Sequence, residues 1–203
     1  MNRKIIIIEG YLASGKSTFA LKLSQALRIP YLIKDTMKNT MCRNVTIENR
    51  AESSRYSVVT FDAMMYVVER LFECGLPVII EGNFAPTGQK RVDEQGIINQ
   101  LVEKYRYSSL NYKFKGDTRV LHQRFIEREK TEERGNANKL GFEVQFEDFN
   151  RWCHNLDAFV VAGTVVEVDT TDFSKVDFEY LVHMAKGFMN KQEEEMYGKD
   201  NIL

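Results

Sequence analysis

Short apolar runs alternate along this chain with longer segments in which apolar residues recur every three or four positions. The runs are typical of strands buried on both faces, and the longer repeats are typical of amphipathic helices. The predicted strands cover residues 4–9, 31–34, 77–81, 110–114 and 164–168. The predicted helices cover residues 16–27, 55–73, 91–105, 119–130 and 176–189. This alternation predicts a three-layer α/β fold, with a five-stranded parallel sheet covered by helices on both faces.

A glycine-rich loop joins the first predicted strand to the first helix. Residues 10–18 read Gly-Tyr-Leu-Ala-Ser-Gly-Lys-Ser-Thr and complete the phosphate-binding motif G-x-x-x-x-G-K-[ST]. The flanking strand and helix are the context that this loop requires, which disfavours a plain turn without a ligand. Lys16 is expected to reach the β- and γ-phosphates, and the Ser17 hydroxyl to ligate Mg²⁺. The motif predicts a P-loop NTPase fold with ATP and Mg²⁺ as cofactors, with GTP left open as the nucleotide. The loop residues expected to bind the nucleotide are Gly10, Tyr11, Leu12, Ala13, Ser14, Gly15, Lys16, Ser17 and Thr18.

Two polar segments interrupt the alternation of strands and helices. Residues 35–54 show no clear period and are expected to be irregular. Residues 128–141 are strongly polar and contain two glycines, a composition that by itself favours a solvated loop. In a chain with a P-loop, their position after a strand–helix unit favours a mobile lid over about residues 129–141. A chain of 203 residues is expected to form one domain over residues 1–203, with this lid as a small part of it.

Two acidic residues follow strands at the edge of the sheet where the P-loop lies. Asp35 comes directly after the second predicted strand, and a carboxylate there can accept a proton from an attacking hydroxyl or help to hold Mg²⁺. The alternative is that Asp35 caps a turn. Glu81 ends the third strand and could hold the water shell of Mg²⁺, although a surface acid at a strand end fits equally well.

Three arginines are candidates for contacts with the nucleotide. Arg124 and Arg128 lie four residues apart on one predicted helix and therefore share a face. One guanidinium can lie over the base while the other reaches the transferred phosphoryl group. Arg134, in the predicted lid, could close onto the same charge. Since Glu127 and Glu129 are neighbours, an exposed helix with surface ion pairs is the alternative.

Further binding residues are predicted from their places beside strand ends. The turn that contains Asp169 and Thr170 follows the last strand, where it could hold the base or could cap the final helix. Residues that could line the pocket of the phosphoryl acceptor are Arg55, Asn83 and Arg91, together with Arg43, Arg50 and Lys90. Arg55 and Arg91 would suit an anionic acceptor, although several of these residues could belong to the ordinary surface.

Composition narrows the classes of partner. The chain has 28 Lys and Arg against 29 Asp and Glu, so its formal net charge of −1 gives no argument for nucleic acid or a membrane surface. The three cysteines are widely spaced and fit no metal-ligand pattern, which is typical of reduced thiols. No apolar stretch is long enough to span a membrane. We therefore expect a cytoplasmic protein with a small-molecule acceptor, and the sequence does not indicate its oligomeric state.

The chain resembles the small P-loop kinases, and most closely the branch that includes chloramphenicol phosphotransferase and the zeta-toxin kinases. The resemblance lies in Gly10 to Thr18, Asp35, the Arg124 and Arg128 pair with the polar lid, and the turn that begins at Asp169. It implies that Asp35 deprotonates the acceptor hydroxyl, that Arg128 stabilises the transferred phosphoryl group, and that Arg124 lies against adenine. The sequence after the third strand, Glu-Gly-Asn-Phe-Ala-Pro, departs from the Asp-Gly-Phe-Pro-Arg pattern of adenylate kinases.

These features together predict an ATP- and Mg²⁺-dependent phosphotransferase that acts on a hydroxyl of a small molecule. In this scheme Lys16, Asp35, Arg128 and Arg134 are the catalytic residues. One alternative is a nucleoside monophosphate kinase, whose acceptor is already a phosphate and needs no base. Another is a regulatory protein in which ATP binding changes the conformation without any transfer.

Overall fold

The predicted apolar runs form the strands of one parallel sheet. The computed structural model describes residues 2–88, 92–131, 135, 137–138 and 142–191. Within these residues the strands are β1 (Lys4–Gly10), β2 (Tyr31–Ile33), β3 (Val78–Glu81), β4 (Ser108–Lys115) and β5 (Thr164–Asp169). Their order is β2-β3-β1-β4-β5, and each neighbouring pair is parallel. This confirms the predicted α/β fold with a five-stranded sheet.

Helices cover both faces of the sheet. In the described residues they are α1 (Lys16–Leu27), α2 (Lys34–Met41), α3 (Arg50–Glu73), α4 (Glu94–Lys104), α5 (Thr118–Glu129), α6 (Phe146–Asn155) and α7 (Phe178–Asn190). A 3₁₀ turn at Phe173–Lys175 precedes α7. Because side chains alternate along a strand, Ile5 and Ile7 pack with α3 and α4, whereas Ile6 and Ile8 pack with α1 and α7. The central strand is therefore buried on both faces, as its isoleucine run predicts.

A third apolar cluster lies beside the glycine-rich loop. Tyr11 packs there with Leu121 and Phe125 of α5 and with Phe149 and Cys153 of α6. All five side chains are buried. The loop is thus supported by two helices that lie next to the sheet.

The segment predicted to be irregular contains a complete helix and the start of another, so that prediction is wrong. Residues 34–41 form α2, and α3 begins at Arg50, where the Asn49 side chain accepts a hydrogen bond of 3.0 Å from the amide of Glu52. The buried positions of α2 are Lys34 and Lys38, four residues apart. A helix that buries lysines shows no apolar period, and this is why the sequence pattern did not indicate it.

The predicted helix boundaries near polar residues are mostly confirmed. Asp117 caps α5, because its carboxylate accepts hydrogen bonds from the amides of Arg119 and Val120. Gly75 follows the end of α3 with a φ of 66°, the left-handed conformation typical of a C-terminal glycine. The last helix begins at Phe178, two residues later than predicted, because Asp177 caps it.

Only part of the predicted lid lies in the described residues. Gly135, Ala137 and Asn138 are described, whereas Arg134 lies outside the described residues. Among the three cysteines, Cys42 and Cys153 are buried and Cys74 is exposed, and all are free thiols. None of the helices in the described part of the chain combines the length and apolar character needed to cross a bilayer.

Candidate active site

The phosphate-binding loop depends on two glycines. Gly10 has a φ of 119°, and a Cβ at this position would lie 2.1 Å from the carbonyl oxygen of Phe114 in the neighbouring strand. That same carbonyl accepts a hydrogen bond of 2.8 Å from the amide of Tyr11. Gly15 has a φ of 84° and stands directly before the first residue of α1. The loop therefore places its amides at the N-terminus of α1, where the helix dipole favours an anion.

Lys16 lies inside this loop. Its side chain is buried, and its Nζ donates hydrogen bonds to the carbonyl oxygens of Gly10 at 3.0 Å and of Tyr11 at 2.5 Å. Burial lowers the pKa of Lys16, while the nearby carboxylate of Glu81 opposes this effect. The ammonium is thus held against the carbonyl oxygens of the loop.

The two predicted magnesium ligands lie in contact. The Ser17 hydroxyl donates a hydrogen bond of 3.0 Å to Oε2 of Glu81, the last residue of β3. Glu81 is buried, so it is not the surface acid that the sequence left open. Burial raises the pKa of Glu81 to about 7, against the charge of Lys16, and the Asp35 carboxylate adds to the rise. A hydroxyl and carboxylates are the oxygen donors that Mg²⁺ takes beside phosphates, so the residues present fit this ion.

Arg124 is fixed against the turn that follows β5. Its guanidinium donates to the carbonyl oxygens of Thr170 at 2.6 Å and of Thr171 at 2.8 Å. It also lies over the ring of Phe173, 4.2 Å from the ring centroid. This arrangement differs from the surface ion pairs offered as the alternative for this helix face, and it gives Arg124 a flat, fixed orientation.

The turn itself does not cap the last helix. The Asp169 carboxylate accepts hydrogen bonds from the amide and hydroxyl of Thr171, at 2.9 and 2.6 Å. Thr170 is fully buried, and its hydroxyl donates to the carbonyl oxygen of Lys115. The capping alternative is therefore wrong, since Asp177 performs that task. The turn shapes the site by holding Arg124.

An aromatic side chain that the sequence did not single out lies above the loop. A Cβ at Gly15 would meet the ring of Phe173 at 3.0 Å. The Phe173 ring also lies 6.5 Å from that of Phe178, between centroids. No motif marks these residues, and only their place after a strand end at the site's edge of the sheet could have indicated them.

One cavity of about 540 Å³ runs across these elements. Its lining residues are Ala13, Gly15, Ser17, Thr18, Phe19, Lys22, Asp35, Thr36, Asn39, Arg124, Arg128, Asn138, Phe173 and Phe178. The cavity joins an aromatic region at Phe173 to a polar region at Asp35. Five of the twelve residues predicted to bind the nucleotide line it, namely Ala13, Gly15, Ser17, Thr18 and Arg124, and the predicted catalytic residues Asp35 and Arg128 line it as well.

The charges of Arg128 and Asp35 change the pKa values of Lys16 and Glu81, which lie at the P-loop. Burial is the main cause of the lowered pKa of Lys16 and of the raised pKa of Glu81. The Arg128 guanidinium adds to the fall at Lys16 and opposes the rise at Glu81. The Asp35 carboxylate acts on the same two groups with the opposite sign. The predicted catalytic residues Asp35 and Arg128 therefore lie near the loop.

Two described residues of the predicted lid, Ala137 and Asn138, contact α2 and α3. Asn138 Nδ2 donates to the carbonyl oxygen of Asp35 at 3.0 Å and to Oδ1 of Asn39 at 2.9 Å. The Ser53 hydroxyl donates to the carbonyl oxygen of Ala137 at 2.7 Å. Ala137 and Asn138 are buried, unlike residues of a solvated loop.

The residues predicted to contact the acceptor divide into three groups. Asn83 is half-buried, and its Oδ1 is buried without a hydrogen-bond partner among the described residues. Arg55 is exposed on α3 and does not belong to the cavity lining. Lys90 and Arg91 lie outside the described residues, as does Arg134.

A buried polar cluster behind the loop was not predicted. The Tyr11 hydroxyl donates to Oδ2 of Asp157 at 2.9 Å. Lys113 Nζ donates to the carbonyl oxygens of Asp157 and Phe159, at 2.7 and 3.2 Å, and lies 3.8 Å from the Glu9 carboxylate. These contacts anchor the glycine-rich loop to the segment before β5. Apart from Tyr11 in the P-loop, these residues belong to no sequence motif, because they meet only through the topology of the sheet.

Solved structures share this architecture over nearly the whole chain. An inferred kinase from Chloroflexus aurantiacus aligns with a TM-score of 0.81 at 19% identity, covering 93% of this chain and 99% of that one. The chain shares the fold of that structure. A shikimate kinase from Bacteroides thetaiotaomicron gives a TM-score of 0.58 at 14% identity, covering 92% of this chain and 98% of its own. A gluconokinase from Sinorhizobium meliloti gives a TM-score of 0.53 at 17% identity, and the alignment covers 93% of this chain and 92% of the gluconokinase. No protein-family model and no curated protein matches the chain.

Proposed function

We propose that this protein is an ATP- and Mg²⁺-dependent phosphotransferase that moves the γ-phosphoryl group to a hydroxyl of a small molecule. The observation that carries the proposal is a cavity of about 540 Å³ that extends from P-loop residues to Asp35. The kinases that share the fold support it, since their named substrates, shikimate and gluconate, are small molecules. The proposal includes membership of the chloramphenicol phosphotransferase and zeta-toxin branch.

In this proposal the nucleotide lies along the loop with its base at the aromatic region. The amides between Gly10 and Lys16 bind the phosphates, and Lys16 turns from the loop carbonyls toward them. The base packs beside Phe173 and Arg124, whose fixed planar groups suit stacking. The Asp169–Thr170 turn acts through Arg124.

Ser17 and Glu81 would hold Mg²⁺, which supplies positive charge to the phosphate oxygens. Asp35 accepts the proton of the acceptor hydroxyl, whose oxygen forms a bond to the γ-phosphorus as the bond to the β-phosphate bridging oxygen breaks. Arg128, and Arg134 from the lid, neutralise charge on the transferred group. Asn83 contacts the acceptor through its unpartnered oxygen.

The proposal is tested by transfer from γ-labelled ATP to a panel of sugars, polyols, sugar acids, nucleosides, nucleoside monophosphates, antibiotics and 5′-hydroxyl oligonucleotides. Wild type, Asp35→Asn and Asp62→Asn are compared, because Asp62 is an exposed aspartate on α3 and serves as the matched control. We expect a labelled hydroxyl product with wild type and Asp62→Asn. Asp35→Asn should lose transfer while it still binds ATP.

Other outcomes favour the alternatives. Label on a nucleoside monophosphate, undiminished in Asp35→Asn, would identify a nucleotide kinase. Tight ATP binding without transfer to any acceptor would favour the regulatory protein. Full turnover by Asp35→Asn on a hydroxyl acceptor would show that Asp35 is not the base.

A further inference from the structure

A buried ion pair lies just outside the cavity, between the start of α2 and the start of α4. Lys34 Nζ contacts Oε1 of Glu94, and the two side chains are only 7% and 2% exposed. Sequence reasoning assigned neither residue a role. Lys34 directly precedes Asp35, the proposed base, so the pair acts on the backbone that carries it.

Both partners are also tied to the loop that follows β3. The second oxygen of Glu94 accepts a hydrogen bond of 2.8 Å from the amide of Ala85. The Lys34 ammonium lies over the rings of Phe61 and Phe84, 5.2 and 5.7 Å from their centroids. The pair therefore joins α2 to residues that follow Asn83, the predicted acceptor contact.

Lys34 also lies directly against the end of β3. A Cβ at Gly82 would be 3.1 Å from Cβ of Lys34, which is closer than most side chains allow. Gly82 is next to Glu81, which contacts Ser17. The position of Lys34 thus sets how far the first turn of α2 lies from the predicted magnesium ligands.

Stability alone gives little reason for charges at this place. Removing two charges from water is costly, and well-packed apolar residues in place of a buried ion pair are often neutral or stabilising. The apolar rings of Phe61 and Phe84 already surround the site. An ion pair differs from an apolar contact in having a defined direction, which fixes the two segments in one register.

We propose that Lys34 and Glu94 are a positioning pair for phosphoryl transfer, which holds Asp35 at the correct place relative to Glu81 and Ser17. This inference rests on the proposed function, since it assigns Asp35 the role of base. The pair contacts neither nucleotide nor acceptor. Its effect on the rate comes from the geometry of the groups that do.

The test compares Glu94→Gln, Lys34→Met and the double variant with wild type. Gln keeps the shape and an acceptor for the Ala85 amide, and Met keeps the apolar stem over the rings. We expect kcat with the acceptor to fall about tenfold or more in every variant, since small misplacements of reacting groups cost large factors. ATP affinity and the slow hydrolysis of ATP by water should stay near the wild-type values.

The double variant separates positioning from folding. It removes both charges of the pair together, so its melting temperature should lie closer to that of wild type than those of the single variants, while kcat stays low. Lys104→Met is the matched control, because Lys104 forms an exposed ion pair of 2.8 Å with Glu69 between α4 and α3. A kcat that recovers together with the melting temperature would show a merely structural role and overturn the inference. Wild-type kcat in Glu94→Gln would overturn it as well.

A second measurement is independent of transfer. Amide hydrogen exchange at residues 38–41, whose amides donate to the carbonyls of the first turn of α2, should be faster in Glu94→Gln than in Lys104→Met. Unchanged exchange there would contradict the inference even if wild type phosphorylated no acceptor in the panel. Absence of transfer by wild type, with faster exchange in Glu94→Gln, would refute the proposed function and Asp35's role as base, and with it the inference for catalysis.

Discussion

Replacing Glu9 with Gln should make the stability of this protein less dependent on pH. Glu9 precedes the first residue of the P-loop and is only 3% exposed. Burial raises the pKa of Glu9 from its ordinary value of 4.5 to about 7, although Lys113 lies 3.8 Å away and opposes the rise. Between these two pH values the folded protein keeps a proton that the unfolded chain releases.

The sign and size of the effect follow from this difference. Because the folded state binds more protons in the window from about pH 4.5 to about 7, the free energy of unfolding falls as the pH rises through it. At about 1.4 kcal/mol per pH unit, the loss reaches about 3 kcal/mol near pH 7 and then stays constant. Below pH 4.5 both states hold the proton, so the contribution no longer changes.

Urea unfolding of wild type and Glu9→Gln over a pH series checks this value. The difference in unfolding free energy between the two proteins should move by about 3 kcal/mol in favour of Glu9→Gln across the window. Other titrating groups, including Glu81, cancel in that difference. Glu103→Gln, which removes an exposed carboxylate from α4, serves as the control. Parallel curves for wild type and Glu9→Gln would refute the reasoning.

Three further variants test the site. Gly10→Ala should weaken ATP binding by more than about tenfold or prevent folding, because the new Cβ would lie 2.1 Å from the Phe114 carbonyl oxygen. Calorimetric titration measures the ATP affinity and circular dichroism the folding. A folded variant with wild-type ATP affinity would contradict the prediction. Phe173→Ala should raise the KM for ATP roughly tenfold, as expected for a lost stacking contact worth about 1–3 kcal/mol, whereas Phe173→Tyr should not. Asn138→Ala removes two hydrogen bonds to α2 and should raise the KM for the acceptor more than that for ATP, as steady-state kinetics with both substrates would show.

The sheet could be predicted because strands buried on both faces need continuous apolar runs, and Ile5 to Ile8 form such a run. Helix α2 could not be predicted, because its buried residues, Lys34 and Lys38, have partners that are distant in the sequence. Lys34 pairs with Glu94, and Lys38 donates to the Ser53 hydroxyl at 2.6 Å. Contacts of this kind depend on the finished topology.

The same distinction applies to the site. The contact between Ser17 and Glu81 follows from a local motif and from the rule that parallel strands end at one edge. Phe173 was not predicted, because it belongs to no motif and lies far from Gly15 in the sequence, although the two residues meet in the fold. Arg55 was chosen for its place near a strand end in the sequence. It is exposed on α3 and outside the cavity lining, and its contact with the acceptor stays a prediction.

The three cysteines give the unmodified chain a single accessible point for a reporter dye. Cys74 is exposed directly after α3, whereas Cys42 and Cys153 are buried, and burial also raises the pKa of Cys153 to about 11. A thiol reagent should therefore react first at Cys74. Since β3 begins a few residues later, the dye would sit at the amino edge of the sheet, across from the nucleotide cavity. Fluorescence anisotropy and energy transfer from that point could report whether the chains associate while the cavity stays free.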